Sequence, residues 1–275
     1  MMHHSKFDRL VNLKPGDRGP VWICIHALSG FVEPYRNLPD FMGDADECWG
    51  IEAKGIDGEV LPERSVTAMG LEYAQGIIET FAARPCVIIG WSFGALIAHE
   101  VVTRLRALDI QALLVIIDSQ KFSDTSPKQI VPLNIMAGFV ETLSNKRRPL
   151  VTEIEEKLGA LPENQRLAAL LQWAAEGSSI DSIELLHHLY EVYRANSMAM
   201  VNYQVPERHG EYALLVRAVN QEDVSTTHDR GWGRCFVDGM EVVDCPGDHY
   251  SIMNAEHAER LSEHIYRFAE RHGLY

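Results

Sequence analysis

The chain has 275 residues, 46% of them apolar and 23% charged, with a mean hydropathy of −0.12; it is long enough for one large α/β domain or two smaller ones, and too balanced for disorder or membrane burial. Its 25 Lys and Arg against 39 Asp and Glu leave a formal charge of −14 at pH 7, which argues against nucleic acid or an anionic membrane surface as a partner. The opening residues hold no apolar core of the kind a secretory signal needs, no run of 18 apolar residues is present, and the five cysteines include no CxxC pair, so a soluble protein of the reducing cytoplasm is expected, with neither a disulfide framework nor a metal.

Short apolar runs rich in Val and Ile, bounded by turn residues, read as buried parallel strands. The first spans 21–25 and a weaker one 47–51. Residues 66–83 carry helical spacing in Val66, Met69, Tyr73, Ile77 and Phe81; a strand at 86–89 follows, then a helix over 95–108 and a strand at 113–117. From 123 to 206 the strand signals stop, and four helices are expected at 130–143, 151–158, 163–175 and 180–201. Such an insertion lies over a sheet, so it reads as a lid on a single domain of 1–275. Within it, Trp173, Tyr190, Tyr193, Met198 and Met200 are candidates for a ligand pocket, although their helical spacing makes most of them ordinary core first. Strands return at 213–216 and, more weakly, at 237–243, and a last helix over 255–271 turns Ala258, Leu261, Ile265 and Phe268 inward. Alternating strands and helices predict an α/β fold with a mostly parallel, doubly wound sheet.

The most informative stretch is Gly90-Trp91-Ser92-Phe93-Gly94-Ala95, a GxSxG motif between a predicted strand and a predicted helix. A sharp strand-to-helix turn leaves no room for side chains at the two glycines and projects the serine at a helix N-terminus, where free amides stabilise developing negative charge. A serine hydroxyl needs an adjacent base, and the base an orienting carboxylate. Of twelve histidines, His249 follows the last strand and precedes the last helix, where the chain order Ser, acid, His puts the base. Two acids fit: Asp118, ending the strand after the elbow, and Glu222 or Asp223, after the next strand. His26 ends the first strong strand, in a turn able to bring backbone amides beside the elbow, where the amide of Phe93 supplies the other oxyanion donor.

These residues resemble the thioesterase domains that end nonribosomal peptide and polyketide synthases, within the α/β hydrolase superfamily. The likeness runs through most of the chain. Residues 10–16 look like the lead-in after a carrier domain; His26 to Gly30 followed by Tyr35 is similar to the family's His-Pro-Ala-Gly-Gly loop, with departures at Ala27, Leu28 and Ser29; Gly90 to Ala95 is similar to its Gly-Trp-Ser-Phe-Gly-Gly elbow. Asp118-Ser119, Gly231-Trp232 and Gly247-Asp248-His249-Tyr250-Ser251 match further family motifs. The resemblance implies an α/β hydrolase fold with a helical lid, Ser92 as nucleophile, His249 as base, Asp118 as acid, and the amides of Phe93 and Leu28 as oxyanion donors. It implies no bound cofactor and an acyl or peptidyl carrier protein as partner, its phosphopantetheine arm delivering the substrate. Trp91 points to the synthase-terminal class; the editing class more often carries His there and its acid after the later strand. The rival expectations are an editing thioesterase, a generic carboxylesterase, and a hydrolase-fold binding protein without turnover.

Overall fold

In the computed structural model, which describes residues 7–121, 132–144, 150–178, 180, 182–206, 212–220, 227–236 and 239–275, the apolar runs assemble into one seven-stranded sheet. Its strands and helices follow one another as β1 (Leu10–Lys14), β2 (Arg18–Ile25), β3 (Asp46–Ile51), α1 (Val66–Phe81), β4 (Cys86–Trp91), α2 (Gly94–Arg106) and β5 (Ala112–Ile117). Then come α3 (Pro132–Ser144), α4 (Leu150–Leu158), α5 (Glu163–Gly177) and α6 (Ile183–Asn202), before β6 (Ala213–Ala218), β7 (Met240–Cys245) and α7 (Ala255–Arg271). The strands lie in the order β1-β3-β2-β4-β5-β6-β7, with β1 antiparallel to β3 and every other pair parallel.

β4 and β5 are buried along their whole length because helices cover both faces of the sheet. Side chains alternate across it. Ile88, Leu114, Ile116 and Leu215 pack with α1 and α2 in one core, while Val87, Ile89, Val115, Leu214 and Val216 pack with Leu261, Ile265 and Phe268 of α7 in the other. This is the α/β hydrolase fold.

The structure departs from the sequence expectations at several element bounds: β2 starts at Arg18 rather than 21, α2 ends at Arg106 rather than 108 and α6 begins at Ile183 rather than 180. Residues 10–14, taken as a lead-in, form the antiparallel edge strand β1, whose polar Asn12 and Lys14 hide its period. α1 stops at Phe81, two residues early, because Ala82 and Ala83 take left-handed backbone angles, φ 50° and 61°, the usual way to end a helix. β7 begins at Met240 rather than 237, a position outside the described residues, as are 130 and 131 at the start of the insertion.

The helices α3 to α6 sit between β5 and β6 and share a core of their own, built on Ile135, Phe139, Ile154, Leu170, Leu186 and Tyr190. α6 ties this core to the sheet: Leu186, Leu189 and Tyr190 belong to the insertion, whereas Ala199 lies in the core under α1 and α2, with Met200 packed against it. Among the described residues no helix is long and apolar enough to cross a membrane.

Candidate active site

β4 runs between β2 and β5, so its C-terminal end emerges at the centre of the sheet, with Gly90 beside Ile25 and Ile116. There the chain turns through Ser92 at φ 56°, a left-handed conformation that costs a non-glycine residue about 1–2 kcal/mol. A Cβ on Gly90 would lie 2.4 Å from the carbonyl oxygen of Gly94, and one on Gly94 2.5 Å from that of Ile25. Both obstacles are backbone, so only glycine allows the turn. Tyr35 fastens it from outside: its buried hydroxyl donates to the Ile25 carbonyl (2.8 Å) and accepts from the Trp91 amide (2.7 Å).

At this turn Ser92 meets His249 and Asp118. Ser92 Oγ lies 3.0 Å from His249 Nε2, and His249 Nδ1 lies 2.7 Å from Asp118 Oδ2. With the carboxylate ionised, Nδ1 carries the proton and Nε2 is left to accept from the serine hydroxyl. Asp118 follows β5 at φ 44° with its side chain fully buried. Its other oxygen, Oδ1, accepts from the Ala218 amide at 2.8 Å and forms an ion pair with Arg230, whose Nη2 also lies at 2.8 Å. Burial pushes this carboxyl up, but the hydrogen bonds from His249 and Ala218 and the charges of His249 and Arg230 outweigh it and hold Asp118 below the ordinary carboxylate range. Glu222 and Asp223, the other acids weighed from the sequence, lie outside the described residues.

The loop that carries His249 is held from two sides. Asp248 Oδ1 accepts from the amides of Tyr250 (3.1 Å) and Ser251 (2.8 Å) and from the Ser251 hydroxyl (2.9 Å). Trp91 Nε1 donates to the His249 carbonyl at 2.9 Å while its ring lies 5.3 Å from the imidazole. Sequence reasoning used Trp91 only as a class marker and missed Arg230 altogether.

His26 does not reach the serine. Its Nδ1 donates to the Ala27 carbonyl and its Nε2 accepts from the Tyr73 hydroxyl, both at 2.8 Å, so it anchors the turn after β2 as a neutral ring. Burial, opposed by the Ala27 bond and assisted by the charge of Arg9, lowers its pKa from 6.5 to about 4. Between those values the unfolded chain binds a proton that the native state refuses. The stability is therefore complete above pH 6.5 and falls as the pH drops towards 4, by about 3 kcal/mol over the window. Urea unfolding of wild type and His26→Phe at stepped pH checks this: the variant should show the shallower decline, and equal slopes would assign the decline to other groups.

The turn that His26 anchors contains Leu28, whose carbonyl accepts from Asn196 of α6 at 3.1 Å. Among the described residues the amides of Leu28 and Phe93 have no acceptor. Leu28, Ser92 and His249 line a cavity of about 640 Å³ that α3 and α6 close with Phe139, Leu143, Leu189 and Tyr193. Of the five insertion residues proposed as pocket formers, only Tyr193 lines it. Trp173 lies 4.0 Å from the Lys157 ammonium, Tyr190 packs edge-on to Phe139, and Met200 faces the sheet core. Among the described residues no group of three or more His, Cys, Asp or Glu is placed to hold a metal ion.

A nucleophile, a base and an acid in hydrogen-bonded series, beside two free amides and under a cavity, can carry out acyl transfer. Comparison with known proteins agrees in fold. The chain superposes on a four-domain nonribosomal peptide synthetase bound to AMP and glycine with a TM-score of 0.83 at 22% identity, covering 97% of this chain and 20% of that one. It superposes on the Vlm2 thioesterase domain, bound with a dodecadepsipeptide, with a TM-score of 0.68 at 21% identity over 97% of this chain and 98% of that one. In sequence it is 26% identical over 286 residues to the inactive atromentin synthetase invA4 of Paxillus involutus, covering 98% of this chain and 29% of that protein. It spans less than a third of the length of the first curated relatives it matches. The thioesterase domain family model matches residues 22–269, and the chain belongs to that family.

Proposed function

We propose that the protein releases an acyl or peptidyl chain from the phosphopantetheine thioester of a carrier protein, by hydrolysis or cyclisation, in nonribosomal peptide or polyketide synthesis. The observation that carries this reading is the hydrogen-bonded series Ser92, His249, Asp118 at the floor of the cavity, in a chain of the thioesterase family. His249 Nε2 takes the hydroxyl proton as Ser92 Oγ attacks the thioester carbonyl, and the amides of Phe93 and Leu28 hold the oxyanion. As the tetrahedral intermediate collapses the C–S bond breaks and His249 returns the proton to the leaving thiol. His249 then deprotonates water, or a nucleophile within the acyl or peptidyl chain, which attacks the Ser92 ester; the acyl C–O bond breaks and His249 returns the proton to Ser92 Oγ. Asp118 keeps Nδ1 protonated and offsets the imidazolium charge. The pantetheine arm arrives with the substrate. The setting is supported by relatives named as synthetases, and a reducing cytoplasm by the buried Cys24 and Cys48, whose sulfurs lie 3.9 Å apart as thiols.

The discriminating experiment offers one acyl group as a carrier-borne thioester, as a pantetheine thioester and as a simple oxyester. The proposal expects kcat/KM to be highest for the carrier-borne form. Preference for acetyl-carrier substrates would favour an editing enzyme, and preference for the oxyester a carboxylesterase.

In this reading α3 to α6 act as a lid within a single domain. Because the insertion has its own core, α4 and α5 are expected to open without the sheet. Hydrogen exchange should be faster in α4 and α5 than in β4 and β5, with the C-terminal end of α6 protected like the sheet it packs on. Equal protection throughout would contradict a mobile cover.

A further inference from the structure

The Asp118 carboxylate serves two side chains. Its Oδ2 faces His249 Nδ1, and its Oδ1 is held by the Ala218 amide and by Arg230 Nη2 at 2.8 Å. Arg230 arrives from the turn between β6 and β7, more than 100 residues from Asp118 in sequence, and its side chain is only 11% exposed. That turn is well braced. The Arg230 amide donates to the Thr227 carbonyl, its carbonyl accepts from the Lys121 amide, and its guanidinium also reaches the Ala218 carbonyl at 3.4 Å. A buried ion pair so close to the base has an electrostatic consequence beyond packing.

We propose that Arg230 is a positioning residue of this site: by fixing the Asp118 carboxylate and offsetting its charge it weakens the hold of the His249–Asp118 pair on a proton. The guanidinium offsets the charge of the buried carboxylate. A proton taken up by the His249–Asp118 pair adds a positive charge beside that of Arg230, so removing the guanidinium strengthens the affinity of the pair for a proton, whichever atom takes it. Among the described residues, the other ionisable side chains lining the cavity with His249 are Asp248 and Tyr250 in its own loop, Tyr193 of α6, Glu141 of α3, and Glu33 with Arg36 across the cavity. Glu33 and Arg36 pair with each other. Among these the guanidinium of Arg230 is the cation bound to the carboxylate that His249 uses.

The proposal rests on the catalytic reading of Ser92, His249 and Asp118, and its test keeps the two apart. The rate at which a fluorophosphonate inactivates the protein, followed against pH, reads the base without any thioester. In wild type the rate should fall on the acid side as the His249–Asp118 pair takes up a proton. In Arg230→Met this acid limb should move up by about one pH unit, an approximately tenfold loss of rate below it. Arg230→Lys, which keeps the charge, should hold the limb near its wild-type position. If Arg230→Met loses its circular-dichroism spectrum, Arg230→Gln takes its place. An unmoved limb in the neutral variant, or a shift in Arg230→Lys as large as in Arg230→Met, would overturn the proposal, the second by showing that packing rather than charge is at work. Wild type that reacts with the fluorophosphonate but turns over no thioester would instead refute the functional reading and leave Arg230 in its role.

Discussion

Replacing Ser92 by alanine is expected to lower kcat on a pantetheine thioester by about 10⁴- to 10⁶-fold with little change in stability, the scale seen when a serine triad loses its nucleophile. The hydroxyl carries the covalent step, and alanine keeps the Cβ that the elbow already accommodates at φ 56°. Activity left behind should come from the oxyanion amides and from binding, so KM should change far less than kcat. A loss below tenfold would mean that the 3.0 Å contact between Ser92 and His249 is not the reacting one.

Asp118→Asn is expected to lower kcat by up to about 10⁴-fold. The asparagine oxygen can still accept from the Ala218 amide, but its own amide then faces His249 Nδ1 as a donor, and the ring must present the wrong nitrogen to Ser92. The substitution also leaves Arg230 buried without its counter-charge, which costs stability, on the order of 3 kcal/mol for a broken buried pair. Urea unfolding should therefore show a folded but weakened protein, which separates this variant from Ser92→Ala. Asp223→Asn should cost little in either respect. A large rate loss there with a mild one in Asp118→Asn would transfer the acid to the later strand and move the protein towards the editing class.

How much of this was legible in the sequence depended on whether a feature is local. Gly90 and Gly94 announce the elbow because the backbone contacts that exclude a Cβ are made by the same short turn and the strand beside it. The position of His249 followed from chain order, and Asp118 from a strand end together with a family resemblance. β1 was missed because five residues with two polar side chains give no readable period. Arg230 was missed for a different reason: its partner is brought to it only when β6 lies beside β5, and nothing around residue 230 marks an arginine for the interior. The cavity walls were legible in part. Helical spacing marked most of the insertion's candidates as ordinary core, where Trp173 and Tyr190 indeed pack, but which face of α6 turns Tyr193 towards Ser92 is set by how four helices pack on one another.

The central claim is that the released chain passes through an ester on Ser92, and intact-mass spectrometry with peptide mapping tests it most directly. Wild type and Ser92→Ala are mixed with a carrier-borne acyl thioester, quenched in acid at short times and weighed. The account predicts a mass increase equal to the acyl group in wild type alone, mapped to the peptide that contains Ser92. An adduct of equal size in Ser92→Ala, or one mapped in wild type to another residue, would contradict it.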